Sequence, residues 1–183
     1  LDVVDEALRA WPAGAGRKLI ILGDPGSGKS SLIRYLALRW AGIAEATVRD
    51  TQPITLVVEL GAYARRQCSG RKNIVRYLEE GPVWHEWQRG LLNRLLEQPG
   101  RVVLLLDGLD EVFDVSTREL VVNDIQRFGS QFANVPVVLT SRVVGYQAQR
   151  LREADFRHFM LQDLDSMQIT DFVNRWHEVT FED

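Results

Sequence analysis

The eight residues Gly23-Asp24-Pro25-Gly26-Ser27-Gly28-Lys29-Ser30 constrain this chain more than any other segment. They follow the pattern Gly, four residues, Gly, Lys and then Ser or Thr, and they join two runs of opposite character. With 14 Gly, 3 Lys and 15 Ser plus Thr among 183 residues, the four fixed positions would arise somewhere by chance about once in 700 such chains. Before them, Lys18 to Leu22 (KLIIL) is too short and too β-branched for a helix and reads as a buried strand. After them, residues 30 to 41 carry Leu32, Ile33, Leu36, Ala37 and Trp40 at helical spacing, until Gly42. In that context glycines let successive amides curl around one anion, and the free amides and dipole of the helix start add to the cradle. Gly26 and Gly28 supply the freedom. Lys29 is expected at the β- and γ-phosphates and Ser30 at Mg²⁺, with Gly23, Asp24, Pro25, Ser27 and Ser31 completing the cradle. A plain Gly-rich turn with an exposed lysine would require neither the Lys-Ser pair nor three glycines.

The remaining pattern alternates strand and helix. Residues 1 to 10 read as a short amphipathic helix, which Pro12, Gly14 and Gly16 break into a linker. Strands are expected over Ile54 to Leu60, Arg101 to Leu106, Pro136 to Thr140 and, more weakly, Phe156 to Leu161. Helices are expected over Asn73 to Glu80, through Trp84, Trp87, Leu91 and Leu95, and through Val121, Ile125, Phe128 and Phe132. A last helix aligns Ile169, Phe172, Val173 and Trp176, with Asp165 and Gln168 as a capping box. Short, wholly apolar strands alternating with helices indicate a parallel sheet covered on both faces, whose ligands bind past the carboxyl ends of the strands.

Those ends carry chemistry. The run VVLLLDGLDEV places Asp107 at a strand tip, where a carboxylate would hold Mg²⁺ through its water shell. Gly108 leaves room, and Asp110 and Glu111 add two carboxylates within a turn. Clustered carboxylates beside a triphosphate would repel it unless a cation intervened, so the arrangement implies Mg²⁺. Glu111, with Asp110 second, is the candidate to polarise the attacking water; the plainer alternative is an acidic helix cap. Arg142, after the strand ending at Thr140-Ser141, could sense the γ-phosphate and stabilise charge on it, or could form a surface ion pair. Arg65, Arg66, Arg71 and Lys72 read as a solvated basic loop. His85, His158 and His177 lack ligand spacing, and Cys68 lacks an activating neighbour.

Together GDPGSGKS, LLLDGLDEV, VVLTSR with VVGYQ, and LQDLDSMQITDFVNRW resemble the NACHT domain of the STAND class of signalling P-loop NTPases, over about residues 17 to 178. The most specific element is Asp107, small Gly108 and the Asp110-Glu111 pair, similar to the NACHT form of the Walker B strand that follows a Walker A loop. The resemblance implies a three-layer α/β P-loop NTPase fold with a five-stranded parallel sheet of order 2-3-4-1-5. The strand ending at Arg142 would then lie between the Walker A and Asp107 strands. It also implies an ATP/ADP switch with Mg²⁺, in which Lys29, Ser30, Asp107 and Arg142 take the roles above. SRVVGYQ followed by QITDFVNRW is more similar to bacterial members, among which are anti-phage defence proteins. Family members continue into helical and winged-helix domains and carry effector and sensor regions. With Leu1 in place of Met, the chain is expected to be a piece of a longer protein: an N-terminal helix and linker over 1–16, one NTPase core over 17–183.

Several function classes fall away. The 22 Lys and Arg against 25 Asp and Glu give a net charge of −3, which removes a global electrostatic case for nucleic acid or membrane. The aliphatic runs are too short to cross a bilayer, and a single Cys fits a reducing compartment, so a cytoplasmic location is expected. The guanine-reading element Asn-Lys-x-Asp is missing, which disfavours a GTPase, and the acidic pair suits water activation better than a kinase acceptor pocket. The leading expectation is a slowly hydrolysing ATP switch that controls homo-oligomerisation of a signalling or defence protein. The alternatives are a AAA+-like mechanical ATPase, which would show a basic and aromatic stripe, and a nucleotide-binding scaffold without hydrolysis.

Overall fold

The computed structural model describes residues 17–40, 53–67, 73–81, 90–143 and 156–181. The helix expected over residues 1 to 10, the Gly42 stop, Cys68, Arg71, Lys72, Trp84, His85, Trp87 and most of VVGYQ lie outside them. The described elements are β1 (Lys18–Leu22), α1 (Lys29–Trp40), β2 (Ile54–Glu59), α2 (Leu60–Gln67), α3 (Ile74–Glu79), α4 (Leu91–Glu97), β3 (Val102–Asp107), a 3₁₀ turn (Leu109–Glu111), α5 (Val115–Gln131), β4 (Val137–Ser141), β5 (Arg157–Met160) and α6 (Ser166–Phe181). The five strands form one sheet in the order β2-β3-β4-β1-β5, and every pairing is parallel. This is the expected three-layer α/β architecture, with β4 between β1 and β3.

Strand pleating sorts the core into two layers, because successive side chains point to opposite faces. Leu19, Ile21, Val103, Leu105 and Val138 pack against Leu32, Ile33 and Leu36 of α1. On the other face, Ile20, Leu22, Leu104, Leu106, Val137 and Leu139 meet side chains of α2 to α5, among them Tyr63, Ile74, Leu92, Val121 and Phe128. Both faces are dry, which is why these strands lack polar alternation.

One local reading changes. Strand β2 ends at Glu59 rather than Leu60, and the Gly- and Arg-rich stretch expected as a loop begins with helix α2. Leu60, Tyr63 and Ala64 recur at helical spacing and are buried, and the Tyr63 hydroxyl donates to the buried Asp124 carboxylate of α5 at 2.7 Å. Arg65 and Arg66 therefore sit in the last turn of a helix, where cations suit its dipole, and Arg66 lies over the Tyr77 ring at 5.4 Å. Helix α6 forms where the sequence places it. Its capping box is present: Asp165 Oδ1 accepts the Gln168 N–H, and the Gln168 side chain accepts the Asp165 N–H. Its apolar stripe nevertheless stays open, with Ile169, Phe172, Val173 and Trp176 each at least half exposed.

Helix α5 starts at an Asp114 cap. Hydrogen bonds from Ser116 and then Thr117 hold the Asp114 carboxyl down to about 2 from its ordinary 3.8. A depressed carboxyl stabilises the fold in full above its unfolded value, so this cap is intact at neutral pH and is lost only as pH falls from about 3.8 toward 2.

Leu105 is fully buried at the centre of the α1 face. Leu105→Ala is expected to lower unfolding free energy by about 3 kcal/mol in urea titrations with little change in m-value.

Candidate functional site

The carboxyl ends of β1, β3 and β4 open on one cleft of about 300 Å³. From the β1 side it is lined by Pro25, Gly26, Gly28, Lys29, Ser30 and Ser31. From the β3 and β4 side it is lined by Asp107, Gly108, Asp110, Glu111, Thr140 and Arg142. Ten of the candidate residues named from sequence thus meet in one place, although 77 positions separate Ser30 from Asp107. Gly23, Asp24 and Ser27 belong to the same loop but do not line the cleft.

Loop geometry follows from its glycines. Gly26 and Gly28 adopt φ of 81° and 86°, a left-handed conformation that side chains resist. Gly23 is needed for another reason: a Cβ there would stand 2.6 Å from Ser27 Oγ. The Gly23 N–H donates to the Ser141 carbonyl at 3.3 Å, which ties the loop to the end of β4. Lys29 Nζ donates to the carbonyls of Gly23 and Asp24 at 2.9 and 2.8 Å and to Ser27 Oγ at 3.3 Å. Its ammonium is thereby held over the loop at the mouth of α1.

Pleating puts Asp107 on the same face as Val103 and Leu105, the face that α1 and the loop cover. The carboxylate is fixed by a residue that sequence reasoning did not select. Thr140, fully buried, donates its hydroxyl to Asp107 Oδ1 at 2.6 Å and accepts the Gly108 N–H at 2.9 Å. One hydroxyl therefore uses both its donor and an acceptor site to lock two strand tips together. No local motif could reveal it, since its partners lie 32 and 33 positions away.

Gly108 has φ of 76° and turns the chain into the 3₁₀ segment that carries the acidic pair. The pair divides. Asp110 Oδ2 meets Arg142 Nε at 2.7 Å while Oδ1 accepts the Arg142 N–H at 3.1 Å. Glu111 instead lies against glycines: an added Cβ would stand 2.9 Å from its Cδ at Gly108 and 3.1 Å from its Oε2 at Gly61. Gly61, in the first turn of α2, was also missed, because α2 itself was read as loop.

Among the described residues no group of three or more His, Cys, Asp or Glu side chains is arranged to hold a metal ion. The oxygen donors present, the Ser30 hydroxyl and Asp107 carboxylate, suit a hard cation that keeps much of its shell as water and phosphate oxygen, as Mg²⁺ does. No helix among them is long and apolar enough to cross a membrane.

The family model for the NACHT domain matches residues 17–180. Nucleotide-binding oligomerization domain-containing protein 2 of Pan troglodytes is 30% identical over 175 residues, covering 87% of this chain and 16% of that protein. The chain thus spans about one-sixth of the length of that relative. Among solved structures, the Aeropyrum pernix ORC1 protein in complex with DNA aligns over 97% of this chain and 47% of its own, at a TM-score of 0.57 and 19% identity. AMPPCP-bound DnaA from Aquifex aeolicus aligns over 97% of this chain and 50% of its own, also at 0.57, with 14% identity. These structures share the fold.

Thr140→Val is expected to cost about 1–3 kcal/mol in chemical denaturation, because it leaves the buried Gly108 N–H without an acceptor; Thr140→Ser, which keeps the hydroxyl, should cost less.

Proposed function

The chain belongs to the NACHT domain family, and on that footing we propose that it is an ATP-operated switch. It binds ATP with Mg²⁺, hydrolyses it slowly, and through the nucleotide held controls oligomerisation of a larger cytoplasmic signalling or defence protein. That it is a nucleotide-binding P-loop NTPase module follows from the family and the sheet order. Binding and hydrolysis of ATP with Mg²⁺ are supported by the convergence in a single cleft of a left-handed glycine loop with its lysine, a strand-tip carboxylate and a strand-tip arginine.

Each group then has a task. Amides of the loop and of the start of α1 hold the phosphates, and Lys29 exchanges its carbonyl partners for phosphate oxygens. Ser30 and Asp107 would hold Mg²⁺, which when bound offsets phosphate charge beside three carboxylates. Asp107 gives one oxygen to Thr140 and keeps the other for the water shell of the cation. Glu111 is the base that orients and polarises water, since both oxygens of Asp110 are occupied by Arg142. Arg142 reads the γ-phosphate and stabilises charge developing on it.

The switch role rests on length and surface. A relative of which this chain covers 16% bears oligomerization in its name, and the open stripe of Ile169, Phe172, Val173 and Trp176 on α6 is apolar surface suited to burial by further protein. The proposed core is residues 17 to 183, with helical, winged-helix, sensor and effector parts supplied elsewhere in the parent protein.

Thermal denaturation with ATP and Mg²⁺ tests the reading. At nucleotide 100-fold above its Kd the intact protein should gain about 2.7 kcal/mol of stability, and Lys29→Ala should gain almost none. Glu111→Gln should keep the gain while phosphate release falls at least 100-fold. No stabilisation of the intact protein, or undiminished hydrolysis by Glu111→Gln, contradicts it.

A further inference from the structure

We infer that Asp110 is a positioning residue for Arg142, and that the pair, rather than the arginine alone, sets the preference of the site for a nucleoside triphosphate over a diphosphate. This deepens the reading of Arg142 given above and rests on it.

An arginine at the end of a strand is a poor reader of a distant phosphate unless it is held. Its long side chain has many rotamers to lose, and Arg142 is half exposed. Three contacts remove that freedom. Ser141, immediately before it, is buried and offers its carbonyl to the Gly23 N–H, which fixes the arginine backbone relative to the phosphate loop. Asp110 Oδ1 then takes the Arg142 N–H, and Oδ2 takes Nε. The root of the side chain and its shaft are both anchored by one carboxylate.

The choice of Nε decides what is left. A guanidinium has five N–H donors in a planar fork, and holding Nε at 2.7 Å fixes the plane while leaving the terminal Nη groups to meet an anion. Asp110 itself is well placed to hold, because its side chain is only 14% exposed and the 3₁₀ turn on which it sits is fixed at Gly108 by Thr140. Exposed ion pairs contribute little, but this one is half sheltered, engages backbone and side chain together, and lies on the cleft. An Asp-to-Arg contact in such a site acts by orientation: the diphosphate lacks the group that the Nη atoms are aimed at, so loss of aim weakens triphosphate binding and leaves diphosphate binding unchanged.

Isothermal titration with β,γ-methylene ATP and with ADP, each with Mg²⁺, gives the ratio of the two affinities without any hydrolysis. Arg142→Ala should lower that ratio about tenfold, Asp110→Asn should lower it severalfold, and the double substitution should be no worse than Arg142→Ala, because both act through one contact. Arg142→Lys, at an exposed position, keeps the charge but has no second nitrogen to offer once paired, and should resemble Arg142→Ala; it applies the same test even if Asp110→Asn does not fold. An unchanged ratio in Asp110→Asn, an additive double substitution, or a lysine that keeps the preference overturns the proposal. If Arg142→Ala itself leaves the ratio unchanged, the assignment of Arg142 to the γ-phosphate is what fails.

Discussion

The site depends on where β4 lies. In a parallel sheet neighbouring strands stand about 4.8 Å apart, so the insertion of β4 between β1 and β3 sets the phosphate loop and Asp107 two spacings, or roughly 9.5 Å, apart. That gap is about the span that a phosphate group and a hydrated cation need side by side. The intervening strand also provides the floor: Thr140 and Ser141, buried at its tip, bond to the β3 side and to the loop side respectively. Position and polarity of the site are thus properties of strand order first and of side chains second.

Division of labour among the four acidic and basic groups follows from the same tips. A carboxylate can serve a cation, a base or an arginine, but one carboxylate cannot serve all three at once. Asp107 is committed on one oxygen to Thr140, and Asp110 is committed on both to Arg142. Glu111 is seated against Gly61 and Gly108, and on the proposed reading it is the carboxylate that serves water. The glycines matter here for room as much as for conformation: a methyl group at either place would press on the Glu111 carboxylate, and at Gly108 the positive φ adds its own strain.

Much of this was legible in the sequence, for physical reasons. Strand ends stand out because fully buried strands leave unbroken aliphatic runs, and β1 spans the residues expected for it. The loop was legible because converging amides on a phosphate require glycines at fixed spacing. Strand order was another matter: periodicity says that strands are parallel and buried, and only resemblance to a known family supplied 2-3-4-1-5. Helix α2 was missed because glycine and arginines outweighed the short Leu60, Tyr63, Ala64 pattern, although burial against α5 decides the conformation there. Thr140, Gly61 and the pairing of Asp110 with Arg142 join residues far apart in the chain, and such contacts exist only once the sheet is assembled. The stripe on α6 was read correctly as amphipathic, yet a pattern of apolar residues does not say what covers it, and here it remains open.

On the proposed reading, one phosphate tail lies across the ends of β1 and β4, between Lys29 and Asp107. A crystal structure with Mg²⁺ and a non-hydrolysable ATP analogue measures this directly. In that structure Lys29 Nζ should leave the Gly23 and Asp24 carbonyls for phosphate oxygens, the cation should sit between Ser30 and Asp107, and the Arg142 guanidinium should meet the terminal phosphate. A nucleotide bound elsewhere on the protein, or a cleft in which Lys29 keeps its carbonyl partners while the analogue is present at saturating concentration, contradicts it.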